Sequence, residues 1–344
     1  MSKNNEGIIN RLNKLYKDNT KIKELPLNLR DKYAIFSDLH LGDGGKADNF
    51  VHNEETMIYA LTYYKNNAYS IILLGDIEEL WQFDFVRIRD RYDKSVYELL
   101  RTFQTNAIHR VFGNHDIEWA GISDPIVDTG NHLPGAPEAV MLGDYIFLVH
   151  GHQGDTLSDK IVWFSRFWVR VFKVIEPIVR KFGYENSAAT KSQIPKDRER
   201  AYYKWAKDNK IILICGHTHR AIFASRSYYA WLKEQIKLKK FSIKLISEMW
   251  KEKIRGRDIN PIETDGKPLP FYFNSGSGLY RKGITNIEIE HDRIRLIKWH
   301  NDASRKERRI KLWKEEKLSV LRRKLKQSRK GGKRKVRKKG DVHK

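Results

Sequence analysis

Five short polar motifs interrupt this chain, and each directly follows an apolar run. They are Asp38-Leu39-His40 after YAIFS, Gly75-Asp76 after SIILL, Gly113-Asn114-His115-Asp116 after IHRVF, His150-Gly151-His152 after YIFLV, and Gly216-His217-Thr218-His219 after KIILIC. Short bounded runs rich in β-branched residues read as buried strands. Helical stretches such as 53–67 and 93–107 lie between them, so the alternation argues a layered α/β fold. Strand ends that deliver Asp, Asn and His to one rim build a polar site by construction. Taken singly, an Asp after a strand is an ordinary turn or N-cap residue. Taken together, the five motifs supply the donor set of one metal centre.

The pattern resembles the calcineurin-like metallophosphoesterase superfamily, whose signature runs DxH, GDxx, GNHD, a lone His and GHxH. The order is complete here, with the key positions 38, 38, 36 and 67 residues apart, and the resemblance covers roughly Tyr33 to His300. It implies a two-sheet mixed β-sandwich flanked by helices, with helical insertions. It implies two divalent metal ions, Asp38, His40 and His219 holding one with Asp76, and Asn114, His150 and His217 holding the other. Asp76 is then the bridge, because a carboxylate screens two adjacent cations from each other. Mixed nitrogen and oxygen donors suit manganese first by resemblance, with Fe, Zn or Co as alternatives. The implied nucleophile is a metal-bound hydroxide, which removes the need for Ser or Cys. His115 is the expected catalyst at the leaving oxygen, oriented by Asp116. Asp43 and His152 are candidate substrate contacts, with solvated loop residues as the alternative reading. His52, His109, His132, His291 and His300 read as ordinary structural histidines.

Within the superfamily, the SDLHLGD opening, GDIEELW, and the HG and GDTLSD segments around His150–Asp159 are similar to the UDP-2,3-diacylglucosamine pyrophosphohydrolase group. That group typically carries Arg at the position of His115 and lacks the extra His152-Gln153. The expected reaction is hydrolysis of a phosphate ester or pyrophosphate bond in a phosphorylated small molecule or lipid, a UDP-linked lipid among them. Two alternatives stay open. One is a nucleotide or nucleic-acid phosphodiesterase tethered by a basic tail, and the other is a non-catalytic metal-stabilised scaffold.

Length permits one large α/β domain plus additions. The expected organisation is a helix and short linker at 1–30, a metallophosphoesterase domain at 31–300 with helical insertions at 155–205 and 225–262, and a tail at 301–344. The stretch 270–300 alternates apolar and polar residues and reads as a β-meander closing a second sheet. In 160–182, Trp163, Phe164, Phe167 and Trp168 share an apolar face edged by Arg and Lys, which reads as a lid for lipid or as an ordinary core helix.

Net charge is +23, unevenly spread. Residues 301–344 carry 20 Lys and Arg against 5 Asp and Glu, which is +15 and leaves +8 for the rest. Ile310, Trp313, Leu318, Leu321 and Leu325 fall near helical spacing, so an amphipathic basic helix is expected over 303–327. The run beyond it is too charged to fold alone. Such a tail suits an anionic membrane surface or nucleic acid. No run of 18 uncharged apolar residues occurs, the N-terminus lacks a signal-like apolar core, and a single cysteine excludes an intrachain disulfide. These features fit a cytoplasmic protein, free or peripheral at the inner membrane face.

Overall fold

The computed structural model describes residues 3–120, 135–154, 193–238, 242–254, 262, 268–311 and 315–339. In chain order the elements are α1 (Lys3–Tyr16), β1 (Ile22–Leu25), β2 (Lys32–Phe36), α2 (Glu54–Asn66), β3 (Ser70–Leu74), α3 (Phe85–Tyr92), α4 (Glu98–Arg101) and β4 (Ile108–Val111). Next come β5 (Ala139–Leu142), β6 (Ile146–Val149), α5 (Gln193–Asn209), β7 (Ile212–Cys215), β8 (Ile222–Phe223) and β9 (Arg226–Ser227). They are followed by α6 (Tyr228–Lys237), α7 (Ile243–Ile254), β10 (Tyr272–Asn274), β11 (Ile284–Glu290), β12 (Arg293–Trp299), β13 (Arg309–Lys311), β14 (Glu316–Lys317) and α8 (Leu318–Lys339).

These strands form two mixed sheets. One runs β1-β5-β6-β7-β10-β8-β9, and the other runs β13-β12-β11-β2-β3-β4 with β14 added on β12. Strands β2, β3 and β4 are parallel neighbours, and so are β6 and β7. The run SIILL shows why a parallel strand needs continuous apolar sequence. Ile72 and Leu74 face the core shared by the two sheets and helices α1 and α5, while Ile71 and Leu73 face the layer of α2, α3 and α4. The period of two splits one strand between two cores. The two-sheet sandwich flanked by helices is therefore the architecture of the chain.

Several expectations change. The linker in the first thirty residues is instead β1, which pairs parallel with β5, while α1 buries Ile8, Leu12 and Leu15 in the main core. The segment read as one helix over 93–107 is broken into a π-type turn (Asp93–Tyr97), α4 and a 3₁₀ turn (Thr105–Ala107). The expected meander divides between sheets, because β10 pairs with β7 while β11 pairs with β2 and β12.

The tail differs most. Helix α8 begins only at Leu318, because Arg309–Lys311 form an edge strand on β12. There Arg309 donates to the buried carboxylate of Glu288, which also accepts from the hydroxyl of Tyr64 at 2.7 Å. Leu318, Leu321 and Leu325 then bury one face of α8 in the main core. The helix continues to Lys339, through residues expected to stay unfolded, because Lys and Arg have good helix propensity once an anchored turn precedes them. Trp313, residues 121–134 and positions 155–192 of the 155–205 insertion, including its 160–182 stretch, lie outside the described residues. The 225–262 insertion forms the helical pair α6 and α7. No described helix is long and apolar enough to cross a membrane.

Candidate metal centre

The five motifs converge because parallel strands end at one rim. Asp38 follows β2, Asp76 follows β3, Asn114 follows β4, His150 follows β6 and His217 follows β7. Backbone bonds lace these ends together: Asp38 N donates to Gly75 O at 3.1 Å, His40 N to Asp76 O at 3.1 Å, and Gly216 N to His150 O at 2.9 Å. Gly75 sits at φ +80°, and a Cβ there would lie 2.6 Å from the ring of His150. A side chain at Gly216 would likewise run into the carboxylate of Asp38.

Three clusters of donor atoms, each spanning less than 4.8 Å, result: Asp38 with His40 and His219, His40 with Asp76 and His115, and Asp76 with His150 and His217. Asp76 belongs to two of them. Its Oδ2 lies 3.0 Å from His150 Nε2 and 3.8 Å from His40 Nε2, so it stands between the two groups of ligands expected from the sequence.

Hydrogen-bond partners show whether this set fits a cation. His150 Nδ1 lies 2.9 Å from the carbonyl of Leu74, which holds a proton on that nitrogen and turns Nε2 toward Asp76. His150 Nε2 and the amide oxygen Asn114 Oδ1 are both buried without a hydrogen-bond partner. His40 Nδ1 lies 2.7 Å from Glu79 Oε2, so its Nε2 lone pair turns toward His219 Nε2, 3.1 Å away. His219 Nε2 is also 3.2 Å from Asp38 Oδ1. These nitrogen and carboxylate atoms crowd to 3.0–3.2 Å, a spacing that places a shared proton or a cation between them. The residues present therefore fit a binuclear metal site of mixed nitrogen and oxygen donors. Burial alone would lower the His150 pKa, but Asp76 beside it outweighs that and raises it to about 9.

The calcineurin-like phosphoesterase family matches residues 32–221, more than half of the sequence. This chain belongs to that family. Among solved structures it is similar to vacuolar protein sorting 29 from Cryptosporidium parvum, at 13% identity and TM-score 0.35, covering 83% of this chain and 98% of that one. It is also similar to an uncharacterised protein from Streptococcus pneumoniae described as a predicted phosphoesterase, at 14% identity and TM-score 0.30, covering 83% and 97%. No curated protein matches.

His115 borders the expected ligands, and its backbone N–H donates to Asp76 Oδ1 at 2.8 Å. Its orienting carboxylate is not Asp116. The two oxygens of Asp116 are occupied by backbone, accepting from Gly113 N at 2.6 Å and Ile77 N at 2.8 Å. Burial, with Asp76 and Glu78 nearby, pushes the Asp116 pKa up to about 7. The partner of His115 is Glu79, whose Oε1 lies 2.7 Å from His115 Nδ1 while Oε2 holds His40. Burial opposes charge on His115, yet Glu79 and Asp76 prevail and raise its pKa to about 9. The indole of Trp81 stacks on the imidazole at 3.9 Å between centroids and remains 38% exposed, so an aromatic surface lines the rim.

Sequence reading passed over Glu79, Trp81 and Glu78, although all three sit in GDIEELW directly after Asp76. Glu78 is fully buried behind the site, where it accepts from Arg110 at 2.7 Å, Trp119 Nε1 at 2.9 Å and the Tyr97 hydroxyl at 3.1 Å. Two acidic residues after a strand-end Asp, followed by Trp, were the available signal. A further residue is Arg198 of α5, whose guanidinium touches His217 Nε2 and, after burial, depresses that imidazole's pKa well below the ordinary value.

Asp43 closes its own loop, accepting from Gly45 N at 3.0 Å, with Arg87 3.9 Å away. Asp48 organises that loop, accepting from Gly44 N, Phe50 N and the Tyr92 hydroxyl at 2.9, 2.9 and 2.6 Å. His152 is buried beside His150, ring centroids 5.6 Å apart, with Nδ1 unpartnered and its pKa lowered by burial and then His150 to about 3. Cys215 is buried and free.

Proposed function

We propose that this protein is a two-metal hydrolase of phosphate esters or pyrophosphates, with Asp38, His40, Asp76, Asn114, His150, His217 and His219 as the ligands. The observation that carries this reading is the position of Asp76 between two clusters of histidine and carboxylate donor atoms. Two divalent ions, manganese first among them, would supply charge neutralisation for a phosphate and a water acidic enough to ionise near neutral pH. The chain itself supplies the rest. Asp76 separates and bridges the two ligand groups, Glu79 fixes the tautomers of His40 and His115, and a protonated His115 stands ready to give its Nε2 proton to a leaving oxygen.

The finer reading is a pyrophosphate in a nucleotide-linked lipid. Support comes from the SDLHLGD, GDIEELW and GDTLSD segments and from the exposed Trp81 beside His115, which offers an apolar surface where a leaving group departs.

The test is turnover by metal-reconstituted protein on bis(p-nitrophenyl) phosphate, p-nitrophenyl phosphate, and UDP-linked pyrophosphates with and without acyl chains, with Asp76→Asn as the control. The expected result is Mn-dependent hydrolysis that the control loses together with both ions. Two retained ions and near-normal turnover in Asp76→Asn would remove the bridge. Equal rates on acylated and unacylated pyrophosphates would remove the lipid.

A further inference from the structure

The α6–α7 pair leaves the first sheet at Ser227, whose hydroxyl caps α6 by accepting from Ala230 N. Helix α7 packs on α6 and makes no comparable contact with any other described element. Helix α6 sets Tyr228 and Trp231 against the main core and buries Leu232, yet three large apolar side chains of the pair face outward. Leu238 at the end of α6 is 62% exposed, Ile243 at the start of α7 is 87% exposed, and Trp250 is 55% exposed. Ile243 and Trp250 are seven residues apart on one helix and so share a face.

Lysines outnumber acids along this pair. Residues 228–254 hold seven Lys against three Glu. Two of those acids are paired at once, Glu248 with Lys251 at 2.8 Å and Glu234 with Arg226, and Glu252 is buried. Lys253 lies over the Trp250 ring at 5.2 Å. Exposed aliphatic and indole carbon thus stands on a helical pair whose sequence carries a net charge of +4, with one ammonium placed over the indole.

We infer that the α6–α7 pair docks this protein on an anionic lipid surface, with Leu238, Ile243 and Trp250 entering the headgroup–acyl boundary and the lysines meeting phosphate headgroups. Charge selects this occupant. A second copy would bring lysine against lysine, whereas a bilayer of net negative charge complements the pair. Three exposed apolar side chains with no groove among them also match a fluid surface, which needs no preformed groove. Indole and aliphatic groups interleaved with Lys are the composition that partitions to the interface. This docking does not depend on the hydrolase reading.

The experiment compares full-length protein with the triple variant Leu238→Ser, Ile243→Ser, Trp250→Ser in sedimentation with vesicles of phosphatidylcholine alone or with one third phosphatidylglycerol. Because the three side chains are exposed, thermal unfolding should be unchanged. Wild type should prefer the anionic vesicles, and the variant should bind them roughly tenfold more weakly. Raising the salt to 0.5 M screens purely electrostatic attachment by the basic C-terminal helix and should widen the ratio. Brominated lipid should quench wild type more than Trp250→Phe. Equal vesicle binding by wild type and variant overturns the proposal. So does a variant whose loss appears with RNA and not with vesicles, or one that merely converts a dimer to a monomer.

Discussion

Glu79→Gln is the most informative single substitution. One carboxylate accepts from two imidazoles, His40 Nδ1 and His115 Nδ1, each at 2.7 Å, and only 3% of it is exposed. A Gln of the same shape has one acceptor oxygen, and its amide presents N–H to the other ring. At least one imidazole therefore loses its partner, and buried hydrogen bonds to a charged group are worth about 1.5–3 kcal/mol each. That corresponds to roughly 10–100-fold, the usual effect of removing a group that orients a metal-bound histidine. If His40 suffers, calorimetric titration of the metal-free protein should show weaker binding of one ion. If His115 suffers, kcat should fall with both ions retained.

The same variant has a pH signature in the metal-free protein. The His115 pKa is raised to about 9 and the Glu79 pKa is lowered to about 2, where burial opposes the charge but His115 outweighs it. A raised imidazole stabilises the fold fully below its unfolded pKa of about 6.5 and loses that contribution as pH climbs through 9. A lowered carboxylate stabilises above about 4.3 and loses that contribution as pH falls toward 2. The stability gap between wild type and Glu79→Gln should thus be widest between those unfolded values and narrow on both sides. The His115 titration followed by NMR should move down toward 6.5. A variant with unchanged metal affinity, unchanged kcat and an unmoved His115 titration would refute the shared-carboxylate argument.

Two other perturbations follow from the same geometry. His115→Ala should keep both metals and lower kcat by about 10²–10⁴, with a smaller loss on p-nitrophenol than on alkoxide leaving groups; equal losses would remove it from the leaving oxygen. Arg110→Ala should destabilise the fold by about 3–5 kcal/mol in chemical denaturation, because it strands the buried carboxylate of Glu78. A cost under about 1 kcal/mol would show that Trp119 and Tyr97 suffice for that charge.

The convergence of the candidate residues was legible because they sit at strand ends, and strand ends are marked by local sequence. Asp38, His40, Asp76, Asn114, His150, His217 and His219 need only the apolar runs before them and the order of motifs. The Glu79–His115 pairing was not legible, since it joins two loops through side-chain rotamers, and Asp116 was the nearer acid in sequence. The tail misled for a related reason. Ile310 fits a helical period with Leu318, but its segment is drawn onto β12, and Arg309 reaches a carboxylate that lies 21 residues earlier. A period detects amphipathicity and is blind to an ion pair with a buried partner.

The backbone adds an argument that composition could not supply. Asp38, His40, Asp76, His217 and His219 all adopt left-handed conformations, with φ of 53°, 50°, 53°, 67° and 53°. Asp, Asn and His tolerate this region better than most side chains, yet each such residue still costs on the order of 1–3 kcal/mol. Five of them amount to a cost comparable to the whole net stability of a domain. Two fully apolar-packed parallel strand sets and the lacing bonds from Asp38 N, His40 N and Gly216 N hold the turns against that cost. With these turns the side chains of Asp38 and His40 join one donor cluster, while His217 and His219 reach the two different clusters that flank Asp76. A rim built of relaxed loops would leave these rings free to rotate away. The strain is therefore the cost of gathering these Asp and His side chains at one rim.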